Sequence, residues 1–161
     1  MRKATIPPLL LLALLLPAPG ADFHIDPERG KSEHDGSSGK PWRSLQEVVK
    51  RVPVGDHVID FAARLARATR PKEGEAPDFV REMVGWGAGP RAGISLITAA
   101  KAHAVLRGRF HATNGDVAAV ARPVLRHRVL TTFNAEAAGV TSDEIIDRLV
   151  KEIVPMEEIA V

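Results

Sequence analysis

Apolar residues recur at every third or fourth position from about residue 45 onward, which is the period of an amphipathic α-helix. The stripe in Asp56–Thr69 leaves Arg64 and Arg67 on the solvent side. A second stripe near the C-terminus is formed by Ile145, Ile146, Leu149, Val150 and Ile153. The predicted helical segments are, in chain order, Leu45–Arg51, Asp56–Thr69, Phe79–Trp86, Arg91–Leu106, Thr113 to about His127, and a last helix from Thr141.

Capping and breaking residues support these segments. Thr113 with Asp116, and Thr141 with Glu144, have the spacing of a capping box, which predicts two helix starts. Pro123 predicts a kink or an interruption in the helix that begins at Thr113. Four amphipathic helices over roughly 100 residues predict a small all-α bundle.

The chain divides into four parts: a leader at 1–21, an arm at 22–44 rich in Gly, Pro and Ser, a helical domain at 45–155, and a tail at 156–161. In the leader, Arg2 and Lys3 precede the apolar run Leu9–Leu16, and Ala18 and Gly20 follow at a −3/−1 spacing. This layout is typical of a secretory signal peptide and predicts export. The apolar run is too short for a transmembrane helix.

Charge and composition exclude some classes of function. The sequence has no cysteine, so it can hold no disulfide and no cysteine-based metal site. Its formal net charge is +2, and Arg2 and Lys3 account for that excess, so we expect no nucleic-acid binding. Segment 101–128 is basic and segment 134–161 is acidic. The favoured interpretation is that these segments neutralise each other, and the alternative is that the basic one binds a nucleotide or a neighbouring subunit.

No complete catalytic or metal motif is present in the sequence. A phosphate-binding P-loop fails at Gly30-Lys31-Ser32, because Ile25 stands where the first glycine is needed. The histidines have no metal-ligand spacing, and His103 and His111, which could approach each other, are interpreted as surface residues. We therefore predict no catalytic residue and no metal ligand.

The strongest local signal is the turn Gly85–Gly89, which Pro90 and Arg91 follow at the start of a predicted helix. Free backbone N–H groups, the positive end of the helix dipole and a guanidinium would converge there on an anion. A cation in the first turn opposes the dipole, and a bound phosphate would resolve that conflict. The simpler alternative is that the arginine extends into solvent.

Two resemblances divide the chain. Phe23–Val49 resembles the opening of secreted right-handed β-helix proteins, through Phe23-His24-Ile25-Asp26-Pro27, Asp35-Gly36, Lys40-Pro41-Trp42 and Leu45. Residues 46–155, about two thirds of the chain, resemble the C-terminal lid of MoxR-family AAA+ ATPases. The matching stretches are Val52-Pro53-Val54, Asp56–Ile59, Arg67–Pro71, Trp86–Ala92, Ala99–Ala102, Leu106–Arg109, Thr113 with Asp116-Val117, and Pro123–Arg128.

The MoxR resemblance implies a small four-helix lid bundle that closes over ATP and Mg²⁺ in a ring-forming, chaperone-like ATPase. It implies that Arg91, at the sensor-2 position, contacts the γ-phosphate, on a turn shaped by Gly87, Ala88, Gly89 and Pro90. The partners implied are an AAA+ core, neighbouring ring subunits and a von Willebrand A-type protein. It also implies a cytoplasmic location, in conflict with the leader.

No P-loop core precedes Gln46 in the sequence, so we hypothesise a truncated or chimeric product without ATPase activity of its own. Two alternatives remain. One is a basic helical nucleic-acid module that uses Arg122, Arg126, His127 and Arg128. The other is a fragment of a secreted, carbohydrate-active β-helix protein.

Overall fold

The computed structural model describes residues 22–153, so the predicted leader 1–21 and tail 156–161 lie outside the described residues. Within that range the fold has seven helices, two short strands and no helix with the length and apolar content needed to cross a bilayer. The elements are α1 (Leu45–Arg51), α2 (Asp56–Ala68), α3 (Asp78–Met83), β1 (Val84–Trp86), α4 (Arg91–Leu106), α5 (Asn114–Leu125), β2 (Leu130–Thr131), α6 (Phe133–Ala137) and α7 (Ser142–Ile153).

The two predicted apolar stripes form much of the core. In α2, Val58, Ala62 and Leu65 of the predicted stripe are fully buried, and in α7 the buried residues are Ile145, Ile146 and Leu149. Both helices pack against α5, and α2 also packs against α4 and α7. Full burial of one such side chain contributes about 2 kcal/mol to folding. The helical periodicity in the sequence is therefore confirmed.

Helix α4 lies in the middle of the bundle and contacts α1, α2 and α5. Its buried residues recur at every fourth position and are mostly alanine: Ala92, Leu96, Ala100 and Ala104. Small side chains on one face let a neighbouring helix approach closely, and α5 is the helix that packs most extensively on this face. The predicted bounds of α4, Arg91–Leu106, are the observed ones.

The predicted capping box begins α5. The Asp116 backbone N–H donates to the Thr113 hydroxyl at 3.3 Å, and the Thr113 N–H donates to the Asp116 carboxylate at 2.8 Å. Pro123 lies inside the helix without ending it, although α5 stops two residues later at Leu125. The side chain of Pro123 is exposed.

The segment predicted as a helix over Phe79–Trp86 is helical only as far as Met83, and its last three residues form β1. Val84 pairs with Thr131 and Trp86 pairs with Leu130 in an antiparallel ribbon. The ribbon joins segments that are more than 40 residues apart in the chain. Its hydrogen bonds satisfy backbone N–H and C=O groups that would be bonded to water at the end of a helix. Helix α6, which the sequence pattern did not predict, follows the ribbon with Thr132 as its N-cap.

The arm at 22–44 contains no helix, as predicted, but it folds around one side chain. Trp42 is 3% exposed, and its indole N–H donates to the His34 carbonyl. Phe23 stacks on the Trp42 ring at 5.3 Å between ring centroids. Phe23 also contacts Phe110, which lies between α4 and α5. The arm therefore packs on the bundle, and its resemblance to a β-helix opening stays a prediction.

Candidate functional site

The turn that precedes α4 is held by the end of α2. The buried Thr69 hydroxyl donates to the Ala66 carbonyl at 2.7 Å and accepts the Ala88 backbone N–H at 2.8 Å. The Arg70 Nε donates to the Ala88 carbonyl at 2.7 Å. Both backbone groups of Ala88 are thus bonded to neighbouring residues of the connection after α2, which fixes the direction in which α4 begins.

The two glycines of the turn that flank Ala88 differ in what they require. A Cβ at Gly87 would lie 2.2 Å from the Thr69 carbonyl oxygen, so only glycine fits this close backbone approach. A Cβ at Gly89 would have no heavy atom within 4 Å. The Gly89 carbonyl instead accepts the Ala92 N–H at 2.9 Å, which starts the helix after Pro90.

Arg91 is the first residue of α4, and its side chain is exposed. Within residues 22–153 its guanidinium makes no hydrogen bond, ion pair or ring contact. Several other arginines of the bundle behave differently: Arg67, Arg70, Arg109, Arg122 and Arg126 each form an ion pair. The predicted anion-binding residue therefore has its full charge available to a molecule from outside the bundle.

A cleft of about 400 Å³ lies beside this guanidinium. Its wall combines cations with apolar and aromatic surface and contains no carboxylate from the described part of the chain. The lining residues are Trp86, Gly87, Gly89, Pro90, Arg91, Ala92, His127, Arg128 and Leu130. The predicted residues Gly87, Gly89, Pro90 and Arg91 thus lie at one site, and Ala88 is buried directly behind them.

Arg128 is held at the edge of the cleft by the bundle itself. Its Nη1 donates to the Val124 carbonyl and contacts the His127 ring, and its Nη2 lies 3.5 Å from the Ser95 hydroxyl. Ser95 belongs to α4, one turn after Arg91. The end of α5 is thereby tied to the start of α4, and a second cation lies in the cleft wall.

The basic cluster that the sequence suggested as a nucleic-acid surface is divided in the structure. Arg122 pairs with Asp147, and Arg126 pairs with Asp143 at 2.9 Å. The hydrogen bonds from Arg122 lower the pKa of the Asp147 carboxyl. These ion pairs join segment 101–128 to segment 134–161, in agreement with the favoured interpretation, whereas His127 and Arg128 belong to the cleft.

A second ionic cluster, at the other end of α4, is already complete. The buried Asp116 carboxylate accepts hydrogen bonds from Arg109 at 2.8 Å, from the Thr113 N–H at 2.8 Å, and lies 2.6 Å from the His103 Nδ1. Burial alone would raise the pKa of Asp116, but the bonds from Arg109, His103 and Thr113 hold it well below its usual value.

This cluster revises the interpretation of His103. The sequence suggested a surface histidine, but His103 is half-buried and bonded to Asp116, while His111 is exposed. Within residues 22–153 no group of three or more His, Cys, Asp or Glu side chains could hold a metal ion. We therefore assign no Mg²⁺ ligand among these residues.

Sequence reasoning missed Thr69, Arg70 and Leu130 as parts of the site, and it included Trp86 in the turn without giving it a role. Thr69, Arg70 and Trp86 lie inside stretches that carry the family resemblance, so a signal for them was present in the sequence. Leu130 gives no such signal, because it reaches the cleft only through its pairing with Trp86 in the ribbon.

Residues 78–149 match the sequence model of the AAA lid domain family. Chaperone MoxR1 of Mycobacterium tuberculosis is 34% identical over 109 residues, which is 68% of this chain and 29% of that protein. YeaC of Bacillus subtilis is 26% identical over 118 residues, which is 73% of this chain and 34% of YeaC. The chain therefore spans about a third of the length of the curated relatives it matches.

A solved structure has a similar fold. The crystal structure of a protein assigned as an ATPase from Cytophaga hutchinsonii superposes with a TM-score of 0.60 and 26% identity, covering 74% of this chain and 38% of the other. The prediction of an all-α lid bundle is confirmed by this helical fold and by the match to the lid family. Together the comparisons support a MoxR-like AAA+ lid.

Proposed function

From a bundle that matches the AAA lid domain in sequence and in fold, we propose that this chain supplies the lid side of the nucleotide site in a MoxR-like AAA+ ATPase. Arg91 contacts the γ-phosphate of ATP, on the turn formed by Gly87, Ala88, Gly89 and Pro90. The observation that carries the proposal is that the exposed guanidinium of Arg91 has no partner within residues 22–153 and lines a cationic cleft.

The chemistry of the cleft suits a polyphosphate. An arginine remains protonated at any physiological pH and forms charge-assisted hydrogen bonds to phosphate oxygens. With Arg128 and His127 in the same wall and no carboxylate among the described lining residues, an incoming anion meets attraction without a competing negative charge.

The bundle holds the backbone turn before Arg91 in place before any ligand arrives. Thr69 and Arg70 bind the backbone of Ala88, and Gly87 lies directly against the Thr69 carbonyl. Because the turn is already fixed, little backbone entropy is lost when a phosphate binds. The proposed role of the chain is therefore to present a cation on a fixed turn.

The rest of the ATPase is proposed from the relatives. Hydrolysis would need an AAA+ core, Mg²⁺ bound outside this bundle, and neighbouring subunits of a ring. A client or a von Willebrand A-type partner belongs to the same proposal. By that proposal the protein works in the cytoplasm, whereas the leader predicts export. That leader and lid derive from two joined reading frames stays a prediction, which sequencing of the locus upstream of codon 46 would test.

The proposal is tested by titrating the intact chain with ATP and with ADP in an isothermal calorimeter. If Arg91 reaches the γ-phosphate, ATP binds about three- to tenfold more tightly than ADP, because a charge-assisted hydrogen bond is made only to ATP. In Arg91→Ala the two nucleotides bind equally weakly.

Arg64→Ala is the matched control, because Arg64 is exposed on α2 and does not line the cleft. It should leave the preference for ATP unchanged. Equal affinity for ATP and ADP in the unmodified chain would contradict the proposal. We expect no ATP turnover by this chain above background, and turnover that disappears in Arg91→Ala would overturn that expectation.

A further inference from the structure

A groove of about 630 Å³, the α1–α4 groove, lies between helices α1 and α4. Most of its surface is apolar, and the lining residues are Leu45, Gln46, Val49, Lys50, Ile94, Ser95, Thr98, Ala99 and Ala102. Two large apolar side chains of the groove are open to water, because Ile94 is 71% exposed and Leu45 is 41% exposed. Apolar surface left in water around a concavity is typical of an interaction site.

The α4 side of the groove has the shape that an approaching helix needs. Ser95, Ala99 and Ala102 are small residues at three- and four-residue spacing, which lets a second helix come close. The hydroxyls of Ser95 and Thr98 donate to carbonyls one turn earlier in α4, at 3.0 and 2.9 Å. From Ile94 to Ala102 the groove follows α4 for roughly 12 Å, a little over two helical turns. Apolar residues at i, i+3, i+4 and i+7 of a partner helix span that length.

The charge at the α1–α4 groove is positive. Lys50 lines it, and within residues 22–153 the Lys50 ammonium makes no hydrogen bond or ion pair. The Lys101 ammonium lies beside it and donates to the Lys50 carbonyl at 3.1 Å. Among the described residues that line the groove there is no Asp or Glu. The carboxylate of α1, Glu47, instead bonds to Ser32 and Arg43 of the arm.

We propose that the α1–α4 groove binds an acidic amphipathic helix of a partner protein. The apolar face of that helix covers Leu45 and Ile94, and its Asp or Glu side chains pair with Lys50 and Lys101. Both features of the groove are needed for this choice. A nucleic acid would place phosphates against apolar walls, and an uncharged apolar helix would leave the Lys50 ammonium without a partner. The proposal is independent of the nucleotide site.

The test uses the intact chain and a fluorescein-labelled synthetic peptide of roughly 14 residues, which is about four helical turns. The peptide has leucines at i, i+3, i+4 and i+7 and glutamates at the flanking positions. A second peptide has lysines in place of the glutamates. We expect fluorescence anisotropy at low salt to show that the glutamate peptide binds about tenfold more tightly than the lysine peptide. The ratio should fall toward one as added salt screens the charges.

Two variants separate the apolar contact from the charge contact. Ile94→Ser should weaken binding of the glutamate peptide about tenfold, because it removes the exposed apolar side chain that the peptide covers. Lys50→Glu should weaken the glutamate peptide about fivefold and strengthen the lysine peptide by a similar factor. That exchange of preference requires direct charge contact, because a loss of structure around Lys50 would weaken both peptides.

Ile59→Ser and Lys72→Glu are the matched controls. Ile59 is 46% exposed on α2, Lys72 is exposed in the connection after α2, and neither lines the groove. Both variants should leave the two affinities unchanged.

Three outcomes would contradict the proposal. The first is that the glutamate peptide does not bind at millimolar concentration, or binds no more tightly than the lysine peptide. The second is that the chain sediments as a dimer that Ile94→Ser dissociates, because a second copy then covers the groove. The third is that oleate displaces the peptide from the unmodified chain but not from Ile94→Ser, because the groove is then a fatty-acid site.

Discussion

The two ends of α4 use charge in opposite ways. At the N-terminal end the Arg91 guanidinium is exposed and has no partner within residues 22–153. Near the C-terminal end, roughly 20 Å away along the helix, the buried Asp116 carboxylate is surrounded by His103, Arg109 and Thr113. Charge that is fully paired holds the bundle together, and charge that is left unpaired is available to a ligand.

The largest effect on stability should come from the paired end. Asp116→Asn removes a buried carboxylate that bonds three residues and completes the capping box of α5. We expect a loss of about 3 kcal/mol in the free energy of unfolding, because Arg109 is left half-buried without its partner. Urea unfolding followed by circular dichroism measures this loss.

Asp147→Asn is the control for that measurement, because its ion pair with Arg122 lies at the surface and should contribute only about 0.5 kcal/mol. Equal losses in the two variants would contradict the larger contribution expected from the buried Asp116 cluster.

We expect acid to destabilise the fold by protonating the same carboxylate, Asp116. Hydrogen bonds hold the pKa of Asp116 below its value in the unfolded chain in spite of burial. Because the pKa of Asp116 is lowered in the folded state, the stabilisation that the ionised carboxylate gives the fold is complete above about pH 4. It is lost as the pH falls toward the folded-state pKa. We expect the free energy of unfolding to fall below about pH 4, and to fall less steeply in Asp116→Asn, when both are unfolded by urea at each pH. Parallel pH profiles would refute a role for Asp116.

The turn before α4 should show an intermediate effect. Gly87→Ala places a Cβ against the Thr69 carbonyl oxygen, so the backbone must move, at a cost of about 2 kcal/mol. Gly89→Ala, which meets no atom within 4 Å, should change stability by less than about 0.5 kcal/mol. Thermal unfolding of the pair measures the contrast, and similar melting temperatures would show that the turn is not held as described.

We expect the smallest effect on stability from a change at Arg91, at the N-terminal end of α4. Arg91→Ala should change the free energy of unfolding by less than about 0.5 kcal/mol, because within residues 22–153 the side chain bonds to nothing. The same variant should lose the preference for ATP over ADP. A loss of stability comparable to that of Asp116→Asn would indicate that Arg91 is a structural residue.

Local features of the sequence predicted most of the helices and singled out the turn before Arg91. The bounds of α1 and α4, the capping box at Thr113 and Asp116, and the turn at Gly87 to Pro90 follow from spacing within a few residues. The resemblance to MoxR lids added the role of Arg91, which is still a proposal.

Contacts between distant segments decided the rest. Val84–Trp86 became a strand because Leu130–Thr131 lies beside it, and Leu130 entered the cleft in the same way. Arg126 and Arg128 are two residues apart, but one pairs with Asp143 of α7 and the other bonds to Val124 and Ser95 beside Arg91. Helical periodicity and caps are properties of neighbouring residues, so the sequence alone determined them. Which charges are paired depends on which helices pack together, so only the tertiary structure decided it.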